Sequence, residues 1–195
     1  MHTDTWAVSP AASASYFRTA AAIAGAGAVT LLQSEILPSG VGAFLTINST
    51  GNDAGTTYTI VGQKLGQVGP FTTTQAGGNT GTATTGTVYW TRITSITASG
   101  AATGNVNIGY SASFALPRTR IRGVHYVGNA SAGSIVITMN STTGSPVVRI
   151  DTPASATFAQ YVNCGGGLLV GRSNAETDFG VITATNVTLF TIFCS

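Results

Sequence analysis

Apart from an alanine-rich stretch near the N-terminus, no segment of this chain spaces its apolar residues as a helix would. Instead, short runs of β-branched and aromatic residues recur from residue 41 onward, separated by glycine and asparagine. They are 44–48 (FLTIN), 56–61 (TTYTIV), 87–96 (TVYWTRITSI) and 105–110 (NVNIGY) in the first half of the chain. The second half adds 120–127 (RIRGVHYV), 134–139 (SIVITM), 146–150 (PVVRI), 167–170 (GLLV) and 187–193 (VTLFTIF). Several alternate apolar and polar side chains, the period of a strand with one face in a core. In 87–96 the alternation sends Val88, Trp90, Ile93 and Ile96 inward, with a slip of phase near Arg92 that predicts a bulge. Tyr89 falls on the face opposite Trp90, so one of the two is expected to face outward. The fold class that follows is all-β and antiparallel.

The separators divide the chain further. Gly51-Asn52, Gly78-Asn79, Gly104-Asn105 and Gly128-Asn129 recur at near-constant intervals. Both residue types tolerate positive φ, which suits tight connections between antiparallel strands. No side-chain motif repeats between them, so they read as successive hairpins and not as a solenoid. A change of composition at 111–117 (SASFALP), where Pro117 cannot donate to a ladder, predicts a boundary. Three parts are expected: an N-terminal arm over 1–27, a Thr/Gly-rich β domain over 28–112, and a sandwich or jelly roll over 113–195. Within the first domain, 63–86 is nearly free of aliphatic side chains and reads as a long exposed loop.

Charge is scarce: Asp, Glu, Lys and Arg make up 7% of the residues, against about 25% in an ordinary soluble domain. With 43% hydrophobic residues the chain can bury a core, so disorder is not expected. A surface so poor in charge is expected to sit against other subunits. The eight Lys and Arg are too few and too scattered for a nucleic-acid footprint. The apolar run 20–32 (AAAIAGAGAVTLL) is too short to span a bilayer, and no Lys or Arg precedes Arg18, so neither a membrane span nor an export signal is expected. Cys164 and Cys194 cannot form a disulfide framework and read as buried thiols.

Few residues suggest chemistry. His125 lies in an apolar strand, no GxSxG elbow is present, and Glu176/Asp178 is the sole close pair of acids. Two His and two Cys show no metal-ligand spacing, and the glycines of 163–171 (NCGGGLLVG) lack the Lys-Ser/Thr of a phosphate loop. No enzyme activity, cofactor or metal is expected. The residues expected to dock on partners are Arg118, Arg120 and Arg122, which a strand would place in one row, and Trp6, Tyr16 and Phe17 of the arm, whose apolar tips need cover. Two readings of the arginine row stay open: docking on an acidic neighbour, or pairing within the chain with Asp151, Glu176 and Asp178.

The run FLTINSTGNDAGTTYTIVG, followed by TVYWTRITSITASGAATGNVNIGY, resembles a β-domain of small structural proteins of tailed bacteriophages. Its matching segments are 51–55 (GNDAG), 58–62 (YTIVG), 94–99 (TSITAS) and 103–109 (TGNVNIG). Residues 122–137, 150–154 and 187–193 similarly resemble β-sandwich modules of such virions, while 63–86 lacks the charged strand that the pattern would place there. The resemblance implies a virion protein, most like a capsid cement or decoration protein. Its partners would be the major capsid protein and further copies of itself, in a trimer, on the head exterior. Alternatives are a tail, neck or fibre component and, from another class, a secreted adhesin or carbohydrate-binding module.

Overall fold

Every β-branched run picked out above is a strand or lies almost wholly within one. The computed structural model describes residues 4–8, 13–34, 41–116, 119–139, 143–170 and 180–194, and none of these is helical. The chain divides into one unit of residues 12–111 and another of 1–11 with 112–195. It passes from the first to the second within a single strand.

The 12–111 unit contains β2 (Ser13–Ala21), β3 (Gly27–Val29), β4 (Gly42–Ser49), β5 (Thr57–Lys64), β6 (Phe71–Ala76), β7 (Thr84–Ala98) and the first half of β8 (Val106–Leu116). Its strand order is β8-β4-β7-β5-β6, with β2 on β8 and β3 on β7. β7 is long enough to serve three neighbours. Its first half pairs with β4 and its second with β5 and β3. The β5–β7 register shifts on either side of Arg92, which is the predicted slip. Tyr89 and Trp90 stay on opposite faces of β7, against Phe44 and Ala43 of β4, yet both are buried, at 9% and 1% exposure, so the expectation that one faces outward does not hold. Tyr89 stacks on Phe44 with ring centroids 3.9 Å apart, and burial pushes its phenol up to about 12. Phe17, Leu45, Ile47, Tyr58, Ile60, Ile93 and Ile96 complete this core.

Two expectations fail in this unit. Residues 63–86 are not a loop, because β6 pairs with β5 over six residues in unbroken register. Threonine is a good strand former, and the half-buried positions of β6 (Phe71, Thr73 and Gln75) need little apolar bulk. Gln75 Nε2 instead donates to the Leu45 and Thr84 carbonyls. Nor are the described residues of the expected arm over 1–27 a free arm: β2 and the start of β3 pair in this unit, and Phe17 is fully buried.

Three of the four Gly-Asn turns converge on one buried acid. Asp53, 1% exposed, accepts hydrogen bonds from Ser49 Oγ, from the Thr103 backbone N–H (2.6 Å) and Oγ1 (2.8 Å), and from the Gly104 N–H (3.4 Å). Its own N–H donates to the Gly78 carbonyl, and Thr80 N–H reaches the Gly51 carbonyl. The approach leaves no room for a side chain: a Cβ on Gly104 would lie 2.1 Å from the Gly51 nitrogen. Burial alone would raise the Asp53 pKa, but the donors from Ser49, Thr103 and Gly104 together outweigh it and hold the carboxyl below the ordinary aspartate range.

The second unit pairs β1 (Asp4–Val8), β14 (Val187–Cys194), β9 (Thr119–Gly128) and β12 (Ala159–Val170) in the order β1-β14-β9-β12. Its other strands are β11 (Pro146–Thr152), β10 (Gly133–Met139) and β13 (Gly180–Thr185), which pair in that order and end on the second half of β8. Val124, Tyr126, Phe190 and Ile192 of the first set and Phe114, Leu116, Ile135, Ile137 and Ile182 of the second are buried, giving a sandwich-like core.

Asp53→Asn removes the charge while keeping the shape, and we expect a loss of about 2–4 kcal/mol in urea unfolding, since several donors lose a charged acceptor. Because the folded-state pKa is depressed, the stability Asp53 contributes is whole above a pH of about 4 and is lost as pH falls through the folded value. The variant should therefore show a flatter acid limb than the wild type. At the alkaline end Tyr89 has the opposite sign. Its share of stability is whole below pH about 10 and drains as pH rises toward its folded value of about 12, and Tyr89→Phe should blunt that fall.

Candidate docking surface

The antiparallel register of β14, β9 and β12 decides which side chains share a face. Leu189 pairs with Val127, Thr191 with His125, and Phe193 with Gly123. On the other side of β9, Ala159 pairs with Val127, Tyr161 with His125, and Asn163 with Gly123. Opposed residues point the same way, so these nine positions form one face, and the opposite face carries the buried Val124, Tyr126, Phe190 and Ile192. A solvated sheet face is ordinarily polar. This one exposes Tyr161 at 51% and Leu189 at 39%, with Val127, His125 and Phe193 half-buried, and none of the nine is a carboxylate.

Gly123 makes the face flat. Tyr161 and Phe193 stand on the two strands flanking β9 and meet edge to face, centroids 5.6 Å apart. The Tyr161 ring lies across Gly123, where a Cβ would come within 2.2 Å of the phenol oxygen. The glycine thus exchanges a side chain of its own for an aromatic bridge over the central strand.

At one end of this face, β12 bulges. Asn163 opposes Gly123 and the next paired residue is Leu168, opposite Ile121, so residues 164–167 loop out. Gly165 and Gly167 take positive φ (61° and 91°), which lets the chain turn and rejoin the ladder. Arg120 and Arg122 lie over the bulge: a Cβ on Gly167 would come 2.5 Å from Arg120 Cγ and 3.1 Å from Arg122 Cδ. Arg122 also donates from Nη1 to the Gly166 carbonyl at 2.6 Å. Arg120 is exposed.

The structure therefore brings two of the predicted arginines together, and Arg118 lies outside the described residues. Of the predicted internal partners, Asp151 is engaged by Arg149 at 2.9 Å, and Glu176 and Asp178 lie outside the described residues. Of the aromatic candidates, Phe17 is buried and so cannot dock on anything. Tyr16 is half-buried and packs edge to face on Phe17 and Tyr110, each with centroids 5.1 Å apart. Trp6 holds a ladder position on β1 opposite Ile192, so the segment is a strand of this chain and not a free arm. Tyr161, Phe193 and Leu189 are not legible as a face in the sequence, because 159–163 shows little β-branched signal and its pairing with β9 is set by register; the glycine at 123 within an apolar strand is the one local hint.

Among the described residues no three His, Cys, Asp or Glu side chains gather as a metal site would need. Cys164 and Cys194 form no disulfide; Cys194 is buried as expected but Cys164 is only half-buried, and burial raises the Cys164 pKa, which disfavours its nucleophilic form. Two surface depressions, one beside Leu31–Ser34 and one beside Arg18 and residues 22–30, hold no acid–base pair. Comparison of the chain with protein families, with characterised proteins and with solved structures returned no match to any of the three.

Gly123→Ala should displace the Tyr161 ring. We expect a stability loss of about 1–3 kcal/mol, as for other overpacked sites, together with a changed near-ultraviolet circular dichroism signal. An unchanged spectrum would mean that the ring does not rest on Gly123.

Proposed function

We propose that this chain is a structural protein of a tailed-phage virion, a cement protein that docks on the head exterior and holds major capsid subunits together. The observation that carries the reading is the flat face of Tyr161, Phe193, Leu189 and Val127, bounded at one end by Arg120 and Arg122. An apolar patch rimmed by polar groups is the form of a protein-binding surface, and aromatic and arginine side chains are the usual anchors of one. The scarcity of charge favours the same role, since burying an uncharged Thr/Gly surface between subunits leaves few ions to desolvate. Such a protein performs no chemical step. It stabilises the shell because it binds the assembled form and not its separated subunits. The phage resemblance of 51–62 and 94–109 supports a virion setting, and a homotrimer is part of this proposal.

A second reading draws on the same platform. The exposed Tyr161 ring, lying across Gly123 beside His125, offers an aromatic face on which a sugar ring can stack, which favours a carbohydrate-binding module of an adhesin or fibre.

Co-sedimentation with mature shells of the encoding phage separates the two. The wild type should pellet with shells, more weakly as salt rises, and Arg120→Glu should lower the apparent affinity about tenfold or more. Retention on a polysaccharide column that Tyr161→Ala abolishes, with no binding to shells, would favour the second reading instead.

A further inference from the structure

Sheet edges are where an all-β protein must prevent unwanted pairing, and this chain protects its described edges unequally. β11 begins at Pro146, its register with β10 breaks between Ile137 and Thr138, and it displays the exposed Arg149–Asp151 ion pair. β12 is interrupted by the 164–167 bulge, and β1, though in unbroken register with β14, begins at the charged Asp4. β3 is three residues long, and β2 shifts register twice along β8. β6 has none of these devices. Its six residues (FTTTQA) carry no charge, proline or glycine and follow β5 without a shift.

The ladder also determines which backbone groups of β6 face the open edge. Gly77 N–H donates to the Thr56 carbonyl, and Ser99 N–H donates to the Thr57 carbonyl on the other side of β5. Hydrogen-bonded and non-hydrogen-bonded pairs alternate along an antiparallel ladder. In the observed register, Gln75, Thr73 and Phe71 therefore bond to Tyr58, Ile60 and Gly62, and the N–H and C=O of Thr72 and Thr74 point away from β5. The side chains of both threonines are exposed. Beyond them the edge closes, because Thr84 Oγ1 donates to the Ala76 carbonyl at 2.7 Å.

We propose that β6 is a self-association edge, pairing antiparallel with β6 of a second copy about a two-fold axis at Thr73. A two-fold perpendicular to the sheet keeps each copy's inner face on the same side, so opposed residues have the same parity. Centred on Thr73, it sets Thr72 against Thr74 of the second copy and Thr74 against Thr72. These are the residues whose backbone groups are turned outward, and both pairs become hydrogen-bonded. The open segment is threonine at its centre and on both sides of it, so it is its own complement. β6 itself carries no charge that would be buried or opposed, the nearest being Lys64 over the Phe71 ring at the far end of the strand, and Thr–Thr is a favourable cross-strand pair. The contact is short and belongs with weak, concentration-dependent interfaces. It is independent of docking on a shell and requires no other component.

Light scattering or sedimentation equilibrium of the full chain, up to about millimolar concentration, tests it. The wild-type mass should reach twice the value shown by Thr74→Pro, which removes the outward N–H without touching the bonds to β5. A charge pair then checks the register. Thr72→Lys with Thr74→Lys opposes like charges in both pairs and should abolish the doubling. Thr72→Lys with Thr74→Glu opposes unlike charges in both and should restore it. Melting temperatures of the variants establish that they are folded. A wild-type mass that Thr74→Pro leaves unchanged, or a Lys/Lys variant that associates as well as Lys/Glu, overturns the proposal. Shell binding in the absence of this doubling would leave the proposed function standing without it.

Discussion

The order of the 12–111 unit depends on one buried carboxylate. Asp53 draws together the ends of β4 and β5, the 77–82 turn before β7, and the 103–105 turn before β8, because each turn contributes a donor or an acceptor within a few ångströms of it. A buried charge is costly unless its lone pairs are filled. Here a hydroxyl from Ser49, a hydroxyl and an amide from Thr103, and an amide from Gly104 fill them. That requirement accounts for the glycines of the surrounding turns, since backbones that approach this closely leave no volume for side chains. With the turns held at one end, β4, β5, β7 and β8 keep the register that buries Leu45, Ile47, Ile60 and Ile96.

The unit of 1–11 with 112–195 solves a different problem. One face of its β1-β14-β9-β12 sheet is the core. The other is apolar and open, and its flatness comes from a glycine in the central strand covered by a tyrosine from the next. Most strand pairs of this kind place a charged or hydroxyl side chain on the solvated face. The combination of Tyr161, Phe193 and Leu189 with two arginines over a glycine bulge has the composition of a recognition surface, and the proposed docking role follows from that composition.

Scarce charge has consequences for edges as well as faces. Charged side chains are the commonest protection of an exposed strand, and a chain with so few must use proline, bulges and short strands instead. It does so at β2, β3, β11 and β12. The unprotected β6 stands out against that pattern, and its outward threonines supply paired donors and acceptors with no desolvated ion.

The all-β class and most strand positions were legible in the amino-acid sequence, because period-two alternation of β-branched residues is a local property that tertiary contacts seldom override. The Gly-Asn dipeptides were legible as turns for the same local reason. The slip near Arg92 could be read too, but the burial of Tyr89 could not: alternation splits it from Trp90, and only the stack on Phe44 covers its face. Strands rich in Thr, Ser and Ala, such as β6 and β2, read as loop and arm in the sequence, since their apolar signal is weak and their pairing is decided by neighbours distant in sequence. Phe17 looks like a docking residue for that reason, and β2 instead carries it into the core. Asp53 looked like one of a few scattered acids, since its partners Thr103 and Gly104 are brought to it only when β8 folds back. The docking face was equally hidden, because it arises from the register that sets Tyr161 and Phe193 on either side of Gly123. Sequence alone determined which segments extend and where they turn; the tertiary structure decided which faces and edges those segments leave open, because burial is settled between strands and not within them.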